Sequence, residues 1–99
     1  MKIIIERPKN SAENLMRSAG YTFLRHDYDK GDMSFAKRIY GADYPRFHAY
    51  VKEEQGTVLV NLHLDQKKAS YEGSHAHSGE YDGEVVEQEG ARLRSLCGN

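Results

Sequence analysis

Phe47 to Asp65 reads F-H-A-Y-V-K-E-E-Q-G-T-V-L-V-N-L-H-L-D. Two alternating runs flank a polar break at Glu53-Glu54-Gln55-Gly56, the sequence form of a β-hairpin. Alternation is expected to fix the register, because a one-residue slip would turn every side chain over. With Lys52 set opposite Thr57, Val51 faces Val58, Ala49 faces Val60 and Phe47 faces Leu62, one apolar face. The same register sets Tyr50 opposite Leu59, His48 opposite Asn61 and Arg46 opposite His63, with Asp65 next along. On that polar face His48 and His63 are diagonal neighbours, expected about 7–8 Å apart at Cα and within reach of one shared ligand.

Working outward, Met33–Tyr40 is a strand joined by Gly41-Ala42-Asp43 to Tyr44. Pairing Tyr40 with Tyr44 sets Phe35 opposite Ala49 and Lys37 opposite Phe47 on the apolar face. It also sets Arg38 opposite Arg46 and Ala36 opposite His48 on the polar face. Like charges directly opposite destabilise a sheet unless they are solvated, offset by an acid such as Asp65, or holding an anion. Upstream, the aromatic and β-prone Tyr21–His26 predicts a further strand, and Asp27–Asp32 a turn in which Gly31 takes a positive φ.

Lys2–Glu6 is a β-branched strand stopped by Pro8. Asn10 or Ser11 caps a helix whose apolar stripe is Ala12, Leu15, Met16 and Ala19, with Gly20 as its terminating residue. Downstream, Gln66 to Gly79 is a polar loop of a length that tends to be functional or mobile. The last element is a helix capped by Ser78 or Asp82. Glu80, Glu84 and Glu87 lie at its positive end and Arg92 and Arg94 at its negative end. Val86, Leu93, Leu96 and Cys97 are its expected buried stripe, with Val85 beside it. Gly90 in mid-helix costs about 1 kcal/mol relative to alanine and marks a close approach to the sheet. The sum is β-α-β-β-β-β-α: an α+β two-layer sandwich, a mostly antiparallel sheet of four to five strands with two helices on one face.

Length bounds this to a single domain spanning residues 1–99. No apolar run approaches the roughly 20 residues of a membrane span, and Ile3-Ile4-Ile5 is too short for a signal-peptide core, so a cytoplasmic protein is expected. Cys97 is the single cysteine, which excludes an intramolecular disulfide and a cysteine metal cluster. Residues 1–52 hold ten basic against six acidic side chains, and residues 53–99 four against nine. Such asymmetry fits either a basic surface for nucleic acid or two halves attracting one another within one fold. The second is favoured, since nucleic-acid domains are usually basic overall.

Three chemistries remain. His63-Leu-Asp65 puts an imidazole and a carboxylate on one strand face, and His75-Ala-His77 repeats that spacing in the long loop. His63, Asp65, His75 and His77 suit zinc or another divalent transition metal, with His48 as a substitute ligand or a supporting group. Arg38, Arg46, His48 and Tyr50 could instead hold an anionic ligand or single-stranded nucleic acid without metal. The tripeptides His48-Ala-Tyr50 and His63-Leu-Asp65 also resemble the paired histidine motifs of the 2H phosphoesterases, which implies a general acid and base acting on a phosphodiester; metal-assisted hydrolysis is the sister reading. This chain carries Tyr50 and Asp65 where that family carries Ser or Thr, and it is short for the family's duplicated fold. A protein-interaction surface of exposed tyrosines is the remaining alternative, and no residue pattern names a reaction. The leading expectation is a metal site beside an arginine-lined anion site on the open sheet face.

Overall fold

The computed structural model describes residues 1–66, 79–80 and 83–97. The elements run β1 (Lys2–Glu6), α1 (Ala12–Ser18), β2 (Thr22–Asp27), β3 (Asp32–Arg38), β4 (Arg46–Glu54), β5 (Thr57–Asp65), β6 (Gly79–Glu80) and α2 (Glu84–Cys97). The sheet order is β1-β5-β4-β3-β2, every pairing antiparallel, with the two-residue β6 continuing the edge of β5 beside Leu64 and Asp65. This is the expected two-layer α+β sandwich. The strand β6 was not expected. Gly79 ends the segment read as a loop, and Glu80, read as lying at the positive end of the last helix, pairs with Leu64 in the sheet instead, since α2 begins only at Glu84.

The β3–β4 register agrees with the sequence reading from Met33 opposite Val51 to Arg38 opposite Arg46. The ladder ends there, so the expected strand to Tyr40 and the Tyr40–Tyr44 pair are not formed. The β4–β5 register does not agree with the reading. Glu54, not Lys52, faces Thr57, so Ala49 faces Leu62, His48 faces His63 and Arg46 faces Asp65. The cause lies in the turn. Gln55 (φ 47°) and Gly56 (φ 78°) both take left-handed conformations, the two-residue turn whose twist matches that of the paired strands. Glu53 and Glu54 therefore remain in the ladder. The slip is two residues, so each side chain keeps its face while gaining a new partner.

Phe47, Ala49, Val51, Val58, Val60 and Leu62 are buried beneath the helices, as the alternation requires. Ser11 caps α1 by accepting from the Asn14 N–H at 3.2 Å, and Gly20 (φ 96°) ends it. A second acceptor comes from the sheet: Glu53 Oε2 takes the Ala12 N–H at 2.9 Å. On α2 the buried positions are Val86, Glu89, Gly90, Leu93 and Cys97. Leu96, expected inside, is 55% exposed, and Val85 is exposed as well. The stripe follows the three- and four-residue spacing from Val86, which passes through Glu89 and leaves Leu96 on its flank. A Cβ at Gly90 would stand 2.5 Å from the Met1 sulfur and 3.4 Å from Ile3 Cδ1. The helix does approach the sheet closely there.

The buried Glu89 is compensated. Tyr21 donates its hydroxyl to Glu89 Oε2 at 2.6 Å, and Arg92 donates Nε and Nη2 to the two carboxylate oxygens at 2.8 Å each. The Arg92 Nη2 also reaches the Ala19 carbonyl at 2.8 Å, tying α2 to the end of α1. Burial works to raise the Glu89 carboxyl, but hydrogen bonds from Arg92 and Tyr21 prevail and hold it below its ordinary value. Burial and the bond to Glu89 push the Tyr21 phenol well above its usual range.

Candidate metal centre on the open sheet face

Both helices lie on one face, so the other face of the sheet carries the polar alternates of β3, β4 and β5. Their rows follow from the registers. Arg38, Arg46 and Asp65 form one row; Ala36, His48 and His63 the next; Ser34, Tyr50 and Asn61 the third. Successive rows are about 6.7 Å apart along the strands.

The central feature crosses these rows diagonally. Asp65 Oδ2 lies 3.0 Å from His48 Nδ1, and Asp65 Oδ1 lies 3.2 Å from His63 Nε2. His48 Nε2 is 2.7 Å from Ser34 Oγ. A carboxylate only accepts, so in the neutral His48 imidazole Nδ1 carries the proton and Nε2 accepts from the Ser34 hydroxyl. Arg46 Nε is 3.6 Å from Asp65 Oδ2, and its guanidinium lies over the Tyr44 ring at 4.8 Å. Tyr50 stacks on His48 at 4.6 Å between ring centres, and the two imidazoles are 5.0 Å apart.

Burial makes these charges matter. Ser34 and His63 are each 6% exposed, and in such surroundings a charge interacts more strongly than in water. Burial alone would raise the Asp65 carboxyl. Hydrogen bonds from His48 and His63, and then their charges, outweigh it and hold Asp65 well below the usual carboxylate range. Asp65 is thus an anion committed to two imidazoles and an arginine.

Ligand atoms of His48, His63 and Asp65 all lie within 4.8 Å of one another, so this group could hold a metal ion. Zinc bonds of about 2.0–2.1 Å place tetrahedral ligand atoms roughly 3.3 Å apart. The two carboxylate–imidazole distances already fall near that value. Of the four expected ligands, the structure brings together His63 and Asp65; His75 and His77 lie outside the described residues. His48, expected as a substitute or a supporting group, stands in direct contact instead. The correction to the β4–β5 register accounts for this, since His48 faces His63 rather than Asn61.

Of the expected anion-binding residues, Arg46, His48 and Tyr50 surround this cluster. Arg38 reaches outward to Asp43 at 3.0 Å, an exposed pair of small energetic weight. Arg38 and Arg46 also line a cleft of about 550 Å³ with Lys37, Thr22 and Ala36. On the opposite flank, Ser34, Tyr50 and Asn61 line a second cleft of about 270 Å³. Ser34 was missed by the sequence reading, although setting Ala36 opposite His48 already makes Ser34 its diagonal neighbour. Among the described residues, no helix is long and apolar enough to cross a membrane. No family model matches the chain, and no curated protein or solved structure does either.

Proposed function

We propose that this protein binds a divalent transition metal, zinc being the best fit, through His48, His63 and Asp65, and holds an anionic ligand beside it. The observation that carries this reading is the convergence of two imidazoles and one carboxylate, all within 4.8 Å, on adjacent strands. Two nitrogens and an oxygen suit zinc, and three protein ligands leave a coordination position for water or a ligand. Ser34 supports the reading from the outer shell. When a metal takes the Nδ1 of His48, the proton moves to Nε2, and a serine hydroxyl can accept from it as readily as it donated before. Arg46 and Arg38 supply positive charge in the row of Asp65 and line the larger cleft together with Asp43.

A general acid and base pair acting on a phosphodiester needs both imidazoles turned toward the substrate. Here each is turned toward Asp65, which favours the metal over that alternative. An anion site without metal is the second reading. It is favoured by the closed set of contacts that Asp65 makes with His48, His63 and Arg46, which balances charge with no ion present.

Elemental analysis of protein purified without added metal, and again after incubation with zinc and desalting, separates the two. Near-stoichiometric metal in the native chain, lost in His48→Ala/Asp65→Asn, is the expected result. No retained metal in either preparation would leave the anion site alone.

A further inference from the structure

The three rows of the open face have a chemical order. The arginines stand at one end with Asp65 in their row, the two histidines in the middle, and Tyr50 opposite Asn61 at the other end. Two row spacings separate the arginines from Tyr50, about 13 Å along the strands. Both imidazoles stack with the Tyr50 ring, at tilts of 28° and 29°, which fixes its plane. Tyr50 remains 36% exposed and lines the cleft that also holds Asn61, Ser34 and Arg25. A fixed aromatic surface beside an amide that both donates and accepts is suited to a heterocyclic base. The arginine row is suited to phosphate.

From this order we infer that the ligand is a free nucleotide: base on Tyr50 and Asn61, ribose passing the His/Asp cluster, phosphates at Arg46 and Arg38. The inference rests on the metal-and-anion reading above and names its ligand class. A free nucleotide, rather than a nucleic-acid strand, follows from what lies beyond the base. Asp27 and Asp32 stand directly opposite one another at that end of the face and line the cleft. Arg25 and Lys30 line the same cleft and balance them, so that end offers no net positive charge to hold the next phosphate of a strand. The chain as a whole carries a net charge of −1, whereas strand-binding domains are usually basic.

The test is calorimetric titration with ADP, adenosine, pyrophosphate and a short single-stranded oligothymidylate. Zinc-loaded and chelator-treated protein are both used, with metal content measured in each sample. ADP is expected to bind at least about tenfold tighter than either adenosine or pyrophosphate, since one base–aromatic contact is worth roughly that factor. Tyr50→Phe should keep this preference and Tyr50→Leu should abolish most of it. Pyrophosphate binding as tightly as ADP, or Tyr50→Leu retaining the full preference, would overturn the inference while leaving the metal site intact. Tighter binding of the oligothymidylate than of ADP would overturn it in favour of a strand. The ADP preference persisting in metal-free protein that takes up no zinc would uphold the nucleotide and remove the metal.

Discussion

Asp65 takes its importance from what it shares: one carboxylate serves His48, His63 and Arg46. Its neighbour in kind is Glu89, a buried carboxylate on the opposite side of the sheet, where Tyr21 and Arg92 hold it. The two differ in legibility. Asp65 is visible in the sequence because His63-Leu-Asp65 alternates on a strand with a polar face. Glu89 is not, because a glutamate on an amphipathic helix is ordinarily solvated, and its phenol partner lies 68 residues away. Glu89 gives a prediction with a definite sign. Its folded-state carboxyl lies below its ordinary value, whereas the unfolded chain titrates near 4.3. The contribution is therefore full above that pH and is lost as pH falls through the lower folded-state value. Glu89→Gln should cost about 2 kcal/mol near neutrality, the scale of a hydrogen bond to a charged group. The gap between wild type and variant should narrow steadily below about pH 4.3. Denaturant melts at several pH values measure both, and a gap independent of pH would contradict the assignment.

At the scale of elements, the faces of the strands were legible and one register was not. Alternation repeats every two residues, so Val51 opposite Val58 and Val51 opposite Val60 satisfy it equally. Only the turn distinguishes them. Choosing the two-residue Gln55-Gly56 turn over a four-residue loop requires Gln55 to accept a positive φ, which its side chain does not advertise. The β3–β4 register was read correctly although the connection is longer than Gly41-Ala42-Asp43: the ladder closes at Arg38 and Arg46, and the Ile39 N–H donates to the Pro45 carbonyl at 3.3 Å. A test of the turn follows from the strain. Asparagine adopts the left-handed conformation more readily than glutamine. Gln55→Asn should therefore stabilise the protein by roughly 0.5 kcal/mol, within the cost that a left-handed residue carries. Thermal melts in the same buffer suffice, and a destabilised variant would argue against this turn. On α2, Gly90 signalled contact with β1 correctly, whereas Leu96 misled because hydrophobicity alone does not say which side of a stripe is covered.

For the whole molecule, the basic and acidic halves of the chain meet in one sheet. β4, which begins in the basic half and ends in the acidic one, pairs with β5, and Arg46 meets Asp65 across that seam. The same seam carries His48 and His63, so the pairing that closes the sheet also assembles the candidate site. The most direct test of that claim reads the imidazole nitrogens themselves. Nitrogen-15 correlation spectra of the histidine side chains, recorded during a zinc titration, identify which ring atoms take the metal. His48 Nδ1 and His63 Nε2 are expected to shift together and saturate at about one equivalent, and Asp65→Asn is expected to abolish both changes. Unmoved His48 and His63 resonances at saturating zinc would contradict that claim.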